Sequence, residues 1–387
     1  MRFREGNRVD LLRGGGQYFP ALEREIDAAT RDIHLESYIF EGDATGRRIA
    51  AALVRAARRG VAVRLLVDGF GSRAFAGSLR AELLDAGVQA LVFRPENVLL
   101  RLRRTRLRRL HRKLAVIDGR VGFCGGINIV DDLEPGAGMG PRFDYAVRVQ
   151  GPLVRDVHAA LRAAWIRSAW VHGHRMWLPL ARDISQPGPA GRCRAALVVR
   201  DNLRHRRDIE HAYLGAIHSA RAEIVIANAY FLPGKRLRRA LLRARERGVN
   251  VVLLLQGRVE YFLVHHATRT LYRQLLDAGV QIHEYQRGFL HAKVAVVDGW
   301  WATVGSSNID PLSLLLAREA NVVVEDEAFA GELRESLRQA IAGESVAVDE
   351  RYAEHAGPLV RVTAWIAYQL LRVLTGISGY GRARDFF

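Results

Sequence analysis

Short apolar runs and helix-period stretches alternate along most of this chain, and much of the pattern occurs twice. Val61-Ala62-Val63-Arg64-Leu65-Leu66-Val67 follows Arg59-Gly60, and Val249-Asn250-Val251-Val252-Leu253-Leu254-Leu255 follows Arg247-Gly248. Each reads as a helix closed by a C-cap glycine and succeeded by a buried strand. Asp85-Ala86-Gly87-Val88-Gln89 recurs unchanged at Asp277-Ala278-Gly279-Val280-Gln281. The segments around Ile26 and Ile217 both read as a helix entering a strand. Residues 151–170 read as a helix with Pro152 in its first turn. Each half is therefore predicted as strand, helix, strand, helix, strand and then a hairpin. The pattern predicts an α/β protein of two halves, packed about a pseudo-twofold axis with a site at their interface.

The hairpins carry the chemistry. The first runs HRKLAVIDGRVGFCGGIN from His111 to Asn128, and the second HAKVAVVDGWWATVGSSN from His291 to Asn308. Alternation after each Lys predicts a strand, and Asp118-Gly119 and Asp298-Gly299 predict the turns that end it. Residues i and i+2 of a strand share a face, so His111 projects with Lys113 and His291 with Lys293. The returning strands bring a small pair, Gly125-Gly126 or Gly305-Ser306, and then Asn128 or Asn308. Gly126 and Ser306 let backbone N–H groups come close to a ligand. One imidazole, one ammonium and one amide make half of a phosphate site, and two copies make a whole one. Lys113, Lys293, Asn128 and Asn308 hold the non-bridging oxygens, while one His attacks phosphorus and the other protonates the leaving oxygen. A carboxylate also opens the strand after each hairpin, Asp144 in the first half and Glu319 in the second. Such acids fix an imidazole's tautomer and favour its charged form. They are candidates to orient His111 and His291, in a pairing the spacing leaves open.

The longer string resembles the phospholipase D superfamily, with both of its His-Lys-Asp motifs complete. From Arg4-Glu5-Gly6-Asn7 through Leu35-Glu36-Ser37-Tyr38-Ile39-Phe40 to the Arg-rich lead-in to His111, it is similar to the short bacterial cardiolipin synthases. The resemblance covers about residues 1–345 and implies two phospholipase D-like α/β/α halves. It places His111, Lys113, Asp118, His291, Lys293 and Asp298 in the catalytic motifs, with Asp118 and Asp298 mainly in structural ion pairs. It implies His111 as nucleophile, and it supports Asp144 and Glu319 as orienting acids. Domain bounds follow as 1–180 and 191–345 for the halves, with Ser185–Gly191 as linker, and 350–387 for a basic tail.

Composition narrows the partner. The chain has 387 residues and a formal net charge of +17, so an anionic partner is expected. Only Cys124 and Cys193 are present, which suits a reducing cytoplasm, and no secretory leader is recognisable. The stretch from Asp85 to His111 is about twelve residues longer than that from Asp277 to His291, and the excess falls in an Arg- and Leu-rich stretch, Arg94–Arg109. In Pro358–Gly376, Arg361, Trp365, Tyr368 and Arg372 fall on one side of a helix, with an apolar side opposite. Both segments fit a membrane surface better than a nucleic-acid track. His265-His266 resembles a metal pair, but adjacent side chains diverge, so no metal is expected there.

These observations lead to a phosphatidyltransferase of the cardiolipin synthase type, with phosphatidylglycerol as donor and acceptor and a phosphohistidine intermediate. It requires no metal or other cofactor. The expected partners are anionic phospholipids, phosphatidylglycerol and cardiolipin, with peripheral contact on the cytoplasmic side of a bacterial inner membrane. Nucleic acid is disfavoured, and no oligomeric state follows. Two alternatives stand beside this reading: a phosphodiesterase that hydrolyses phospholipid or nucleic acid, and a non-catalytic protein that binds anionic lipid.

Overall fold

A computed structural model describes residues 1–95, 108–132, 140–174, 177, 186–201, 204–258, 267–310 and 317–349. Most of the Arg- and Leu-rich stretch, His265-His266 and the basic tail lie outside these residues.

The first half runs β1 (Arg4–Arg13), α1 (Gly14–Asp27), β2 (Asp32–Ser37), α2 (Ala44–Arg58), β3 (Ala62–Asp68), α3 (Ser78–Asp85) and β4 (Gln89–Phe93). The hairpin β5 (Leu114–Ile117) and β6 (Val121–Gly125) follows, then β7 (Tyr145–Gln150) and α4 (Leu153–Val171). The second half repeats this order: β8 (Cys193–Arg200), α5 (Asp208–Ser219), β9 (Glu223–Asn228), α6 (Lys235–Glu246), β10 (Asn250–Gln256), α7 (Tyr272–Asp277) and β11 (Gln281–Tyr285). Then come β12 (Lys293–Val297), β13 (Trp301–Gly305), β14 (Glu319–Glu325), α8 (Glu327–Glu344) and an added edge strand, β15 (Ser345–Val348).

Outward from the middle of the sheet, the first half reads β1-β7-β6-β5-β2-β3-β4 and the second β8-β14-β13-β12-β9-β10-β11-β15. The two orders match element for element until β15. β1 and β8 pair antiparallel and join the halves. The prediction of two α/β halves about a pseudo-twofold axis is thus met. It lacked β1 and β8, because their charged residues interrupt the alternation that marks a strand. Gly60 and Gly248 have φ of +87° and +86°, a region open to glycine, and they close their helices as expected.

Strand alternation divides most of the apolar residues between three large cores, with a smaller cluster around Leu66, Leu91 and Trp165 beside them. Ala115 and Ile117 of β5 pack outward under α1 and α2, and Ala295 and Val297 of β12 pack outward under α5 and α6. Their neighbours Leu114, Val116, Val294 and Val296 face inward, into a third core that also takes in α4 and α8. This inner core is the seam between the halves. The site lies at its edge, where β5, β6, β12 and β13 meet the lead-ins to β7 and β14. Among the described residues no helix is long and apolar enough to cross a membrane.

Candidate active site

The backbone sets the site before any side chain does. His111 donates its N–H to the carbonyl of Arg318, at 3.0 Å, and His291 donates to Phe143, at 2.9 Å. Arg318 and Phe143 directly precede Glu319 and Asp144. Each histidine is therefore stitched to the strand of the other half that carries an acid, and the side chains follow. His111 Nδ1 lies 2.9 Å from Glu319 Oε1. His291 Nδ1 lies 2.6 Å from Asp144 Oδ2. The pairing left open by the spacing is crossed: neither histidine uses the acid of its own half.

An ionised carboxylate only accepts, so each Nδ1 carries the hydrogen and each Nε2 is left with its lone pair for a ligand. Asp144 is held below the usual carboxylate range: burial opposes this, but Lys293, His291 and the Tyr145 N–H outweigh it. Burial pushes His111 below the ordinary imidazole value, against the pull of Glu319. It pushes His291 further, to about 3, with Lys293 adding to the effect. Burial thus favours the neutral form of both rings.

The lysines complete the cluster. Lys113 Nζ donates to the His111 carbonyl at 2.8 Å, and Lys293 Nζ donates to that of His291. Lys293 Nζ also stands 3.9 Å from Asp144 Oδ2. Burial first, and then the charge of Lys293, lower Lys113 to about 7. Each imidazole feels both ammonium groups, which puts the four side chains in one electrostatic cluster. Such crowding of buried positive groups suits an anion.

The small residues differ between the halves. Ser306 Oγ donates to Glu319 Oε2 at 2.6 Å and accepts the Ala320 N–H at 3.1 Å. At the matching place Gly126 lies so close to Asp144 that a Cβ would stand 2.3 Å from Oδ1. Asn128 Oδ1 accepts the Ile39 N–H at 3.2 Å, which leaves its NH2 as the donating end. Asn308 is buried, and its Oδ1 has no hydrogen-bond partner among the described residues.

Asp118 and Asp298, the third members of the motifs, stand apart from this cluster. They follow the far ends of β5 and β12, about 16 Å of extended chain from the lysines. Asp118 accepts the N–H groups of Thr30, Arg31 and Asp32, and Asp298 those of Arg221, Ala222 and Glu223. These bonds hold both acids below the usual range despite burial. They fasten the loop before β2 or β9 to the hairpin turn, and both have φ near +50°, which Asp tolerates better than most residues.

Three residues at the site were not singled out from the sequence. The Tyr38 ring packs edge-on against His111, with centroids 4.7 Å apart, and lies 5.3 Å from Lys113 Nζ. Asp132, buried near Asp144, is raised by desolvation to about 7 although Arg142 and Lys293 oppose it. Arg112, directly after His111, forms a twin 3.0 Å pair with Glu36. Glu36 thus serves as a buried ion-pair partner. Asn228 accepts the Ile309 N–H at 3.0 Å. Elsewhere, ligating atoms of Asp32, His34 and His158 lie within 4.8 Å of one another. Arg64 and Arg162 face both histidines and disfavour a cation there.

The profile of the family described as cardiolipin synthase, phospholipase D-like domain matches residues 22–132 and 213–341. The two matched segments contain the two hairpins. The chain belongs to the phospholipase D superfamily. Cardiolipin synthase B of Escherichia coli (strain K12) is 42% identical over 394 residues, covering 98% of this chain and 91% of the relative. The major cardiolipin synthase ClsA of Bacillus subtilis (strain 168) is 33% identical, covering 87% of this chain and 69% of that one. The phospholipase D fold is also seen in the likeness to the phosphatidylserine synthase structure from Haemophilus influenzae Rd KW20. That structure has a TM-score of 0.71 at 13% identity and covers 95% of this chain and 94% of its own.

Proposed function

We propose that this protein is a phosphatidyltransferase of the cardiolipin synthase type, using phosphatidylglycerol as donor and as acceptor. The observation that carries the reading is the crossed arrangement, in which two imidazoles, each backed by an acid from the opposite half, lie buried in one electrostatic cluster with two lysines. Near-full-length identity to cardiolipin synthase B supports the choice of substrate.

In this scheme His111, assigned by family resemblance, attacks the donor phosphorus through Nε2. The bond to the glycerol oxygen breaks, and His291 delivers a proton to that oxygen from its own Nε2. Substrate binding makes this possible: the phosphodiester anion, with Asp144 behind the ring, favours the imidazolium that the empty site disfavours. Glycerol leaves. The hydroxyl of a second phosphatidylglycerol gives its proton back to His291 and attacks phosphorus, the bond to His111 breaks, and cardiolipin forms. Lys113, Lys293 and the NH2 groups of Asn128 and Asn308 stabilise the negative charge on the equatorial oxygens. The same pocket run with water as acceptor would be a hydrolase. The halves, bounded near 1–180 and 191–345, act as one catalytic unit, and the protein works on the membrane surface without spanning it.

Incubation with vesicles of defined phospholipids, followed by mass spectrometry, tests this. Cardiolipin and free glycerol should appear with phosphatidylglycerol, and both should vanish with His111→Ala or His291→Ala. Near-normal synthesis by either variant would sink the two-histidine scheme. Phosphatidic acid as the sole product would convert the reading to hydrolysis.

A further inference from the structure

The internal repeat gives every seam position a counterpart, and at four of them the two sides differ in kind. β2 pairs Glu36 with Leu114 while β9 pairs Ala227 with Val294, so Glu36 and Ala227 correspond. Arg112 and Ala292 each follow a catalytic histidine, and Arg318 and Phe143 each precede an acid. Arg13 faces Tyr145 and Val199 faces Ala320, so the next residues, Gly14 and Arg200, correspond. On the side backed by α8, Ala227 and Ala292 belong to the apolar seam core and Phe143 packs on it. On the side backed by α4 the same places hold Glu36, Arg112, Arg318 and Arg200. The fold itself does not require charge at these positions, because the side backed by α8 is built without it.

The charge is also out of balance. Arg112 and Arg200 are 5% and 2% exposed. Glu36 answers Arg112, and Arg200 donates to the Ala317 carbonyl. Arg318 Nη1 is buried without a hydrogen-bond partner among the described residues. Burial, together with Arg167, Arg112 and Arg94, brings Arg318 down to about 10, and Glu36 is the acid that opposes them. Arg112, Arg200 and Arg318 line a cleft of about 420 Å³ whose wall also includes the exposed Arg167 and Arg204. Asp201 is the one carboxylate among its described lining residues, and its Oδ1 accepts the N–H groups of Arg204 and His205. A buried guanidinium such as that of Arg318, with an Nη1 that no described group satisfies, is costly unless an anion completes it. The planar forks of guanidinium groups match phosphate oxygens in pairs. The volume suits a headgroup-sized ligand.

We propose that this cleft is a second phosphate-binding site, distinct from the reacting centre. It takes either the phosphodiester of an anionic phospholipid headgroup or free inorganic phosphate. Arg112 reaches it from the chain between His111 and Lys113 and pairs with Glu36, not with the acids of the reacting pocket.

The test measures binding without turnover, so it stands whether or not the protein makes cardiolipin. Equilibrium dialysis with radiolabelled inorganic phosphate at low salt should give two phosphates per wild-type chain. R167A/R204A, altered only at exposed rim residues, should retain one, and K113M/K293M should retain the other. R167K/R204K should restore the site with weaker binding, which separates lost contacts from lost folding. Flotation with phosphatidylcholine vesicles, with and without phosphatidylglycerol, identifies the source, against R58A/R239A as a charge-matched control. A loss of about tenfold or more in R167A/R204A, absent in the control, marks a lipid headgroup as the occupant. Lost phosphate with vesicle binding equal to the control marks free phosphate. One phosphate per wild-type chain, kept by R167A/R204A and lost by K113M/K293M, overturns the proposal.

Discussion

Each histidine of the site finds its acid on the far side of the seam, and that contact can be removed without removing the ring. Glu319→Gln and Asp144→Asn keep the shape but no longer hold the Nδ1–H tautomer or stabilise the imidazolium. We expect kcat to fall by about 10²–10⁴-fold with KM little changed. Steady-state kinetics on mixed micelles measures this, and an unchanged kcat in both variants would refute the orienting role. Lys113, at about 7 in the empty site, gives a pH signature. A phosphate anion binds the protonated form, so affinity is full below pH 7. Above that it should weaken by about tenfold per pH unit, with proton uptake on binding. Calorimetry in buffers of different ionisation enthalpy reads both effects. The residue types at the site were legible in the sequence because each half carries them at fixed spacing. The crossing of the pairs was not, since two symmetric motifs and two symmetric acids fit either pairing. Tyr38 and Asp132 were illegible for another reason: neither has a marked counterpart in the other motif.

At the scale of the element, the hairpin is fastened at its turn as well as at its working end. Asp298 receives three backbone N–H groups from the loop that enters β9. Asp298→Ala leaves these donors without a partner and should destabilise the fold by ~2–4 kcal/mol. Asp298→Asn, which keeps one acceptor oxygen and tolerates the positive φ, should cost less. Activity per folded molecule should stay within about threefold of wild type in both, as a hydrogen-bonding role predicts. A selective collapse of kcat at unchanged melting temperature would return Asp298 to the chemistry. Gly126→Ala acts in the opposite way. Its Cβ would intrude on Asp144, so kcat should fall with little loss of stability, and the same kinetic assay checks it. The hairpins could be read from sequence because alternation and an Asp-Gly turn coincide there. β15 could not, since its exposed half-apolar residues resemble a helix end.

Across the whole molecule, the inner core draws side chains from both halves of the sheet and from α4 and α8. The halves therefore should not melt independently. Differential scanning calorimetry should show one transition, and Val322→Ala, which opens a void at a fully buried seam position, should lower it as a unit. Two resolved transitions would mean that the seam couples the halves weakly. The duplication and the layer order were readable at this scale. The edge-to-edge joining of the halves through β1 and β8 was not, because charged residues interrupt the alternation of these strands.

The exchange of acids has a bearing on ancestry. Either half standing alone would own a histidine with no carboxylate to face it, and would be inert. An unfused forebear must then have worked as a pair of identical copies, each completing the other, with every residue present twice by necessity. Joining the copies in one polypeptide lifted that constraint. A glycine and a serine now occupy equivalent places beside the two acids, and one flank of the junction has become apolar while its mirror carries arginines.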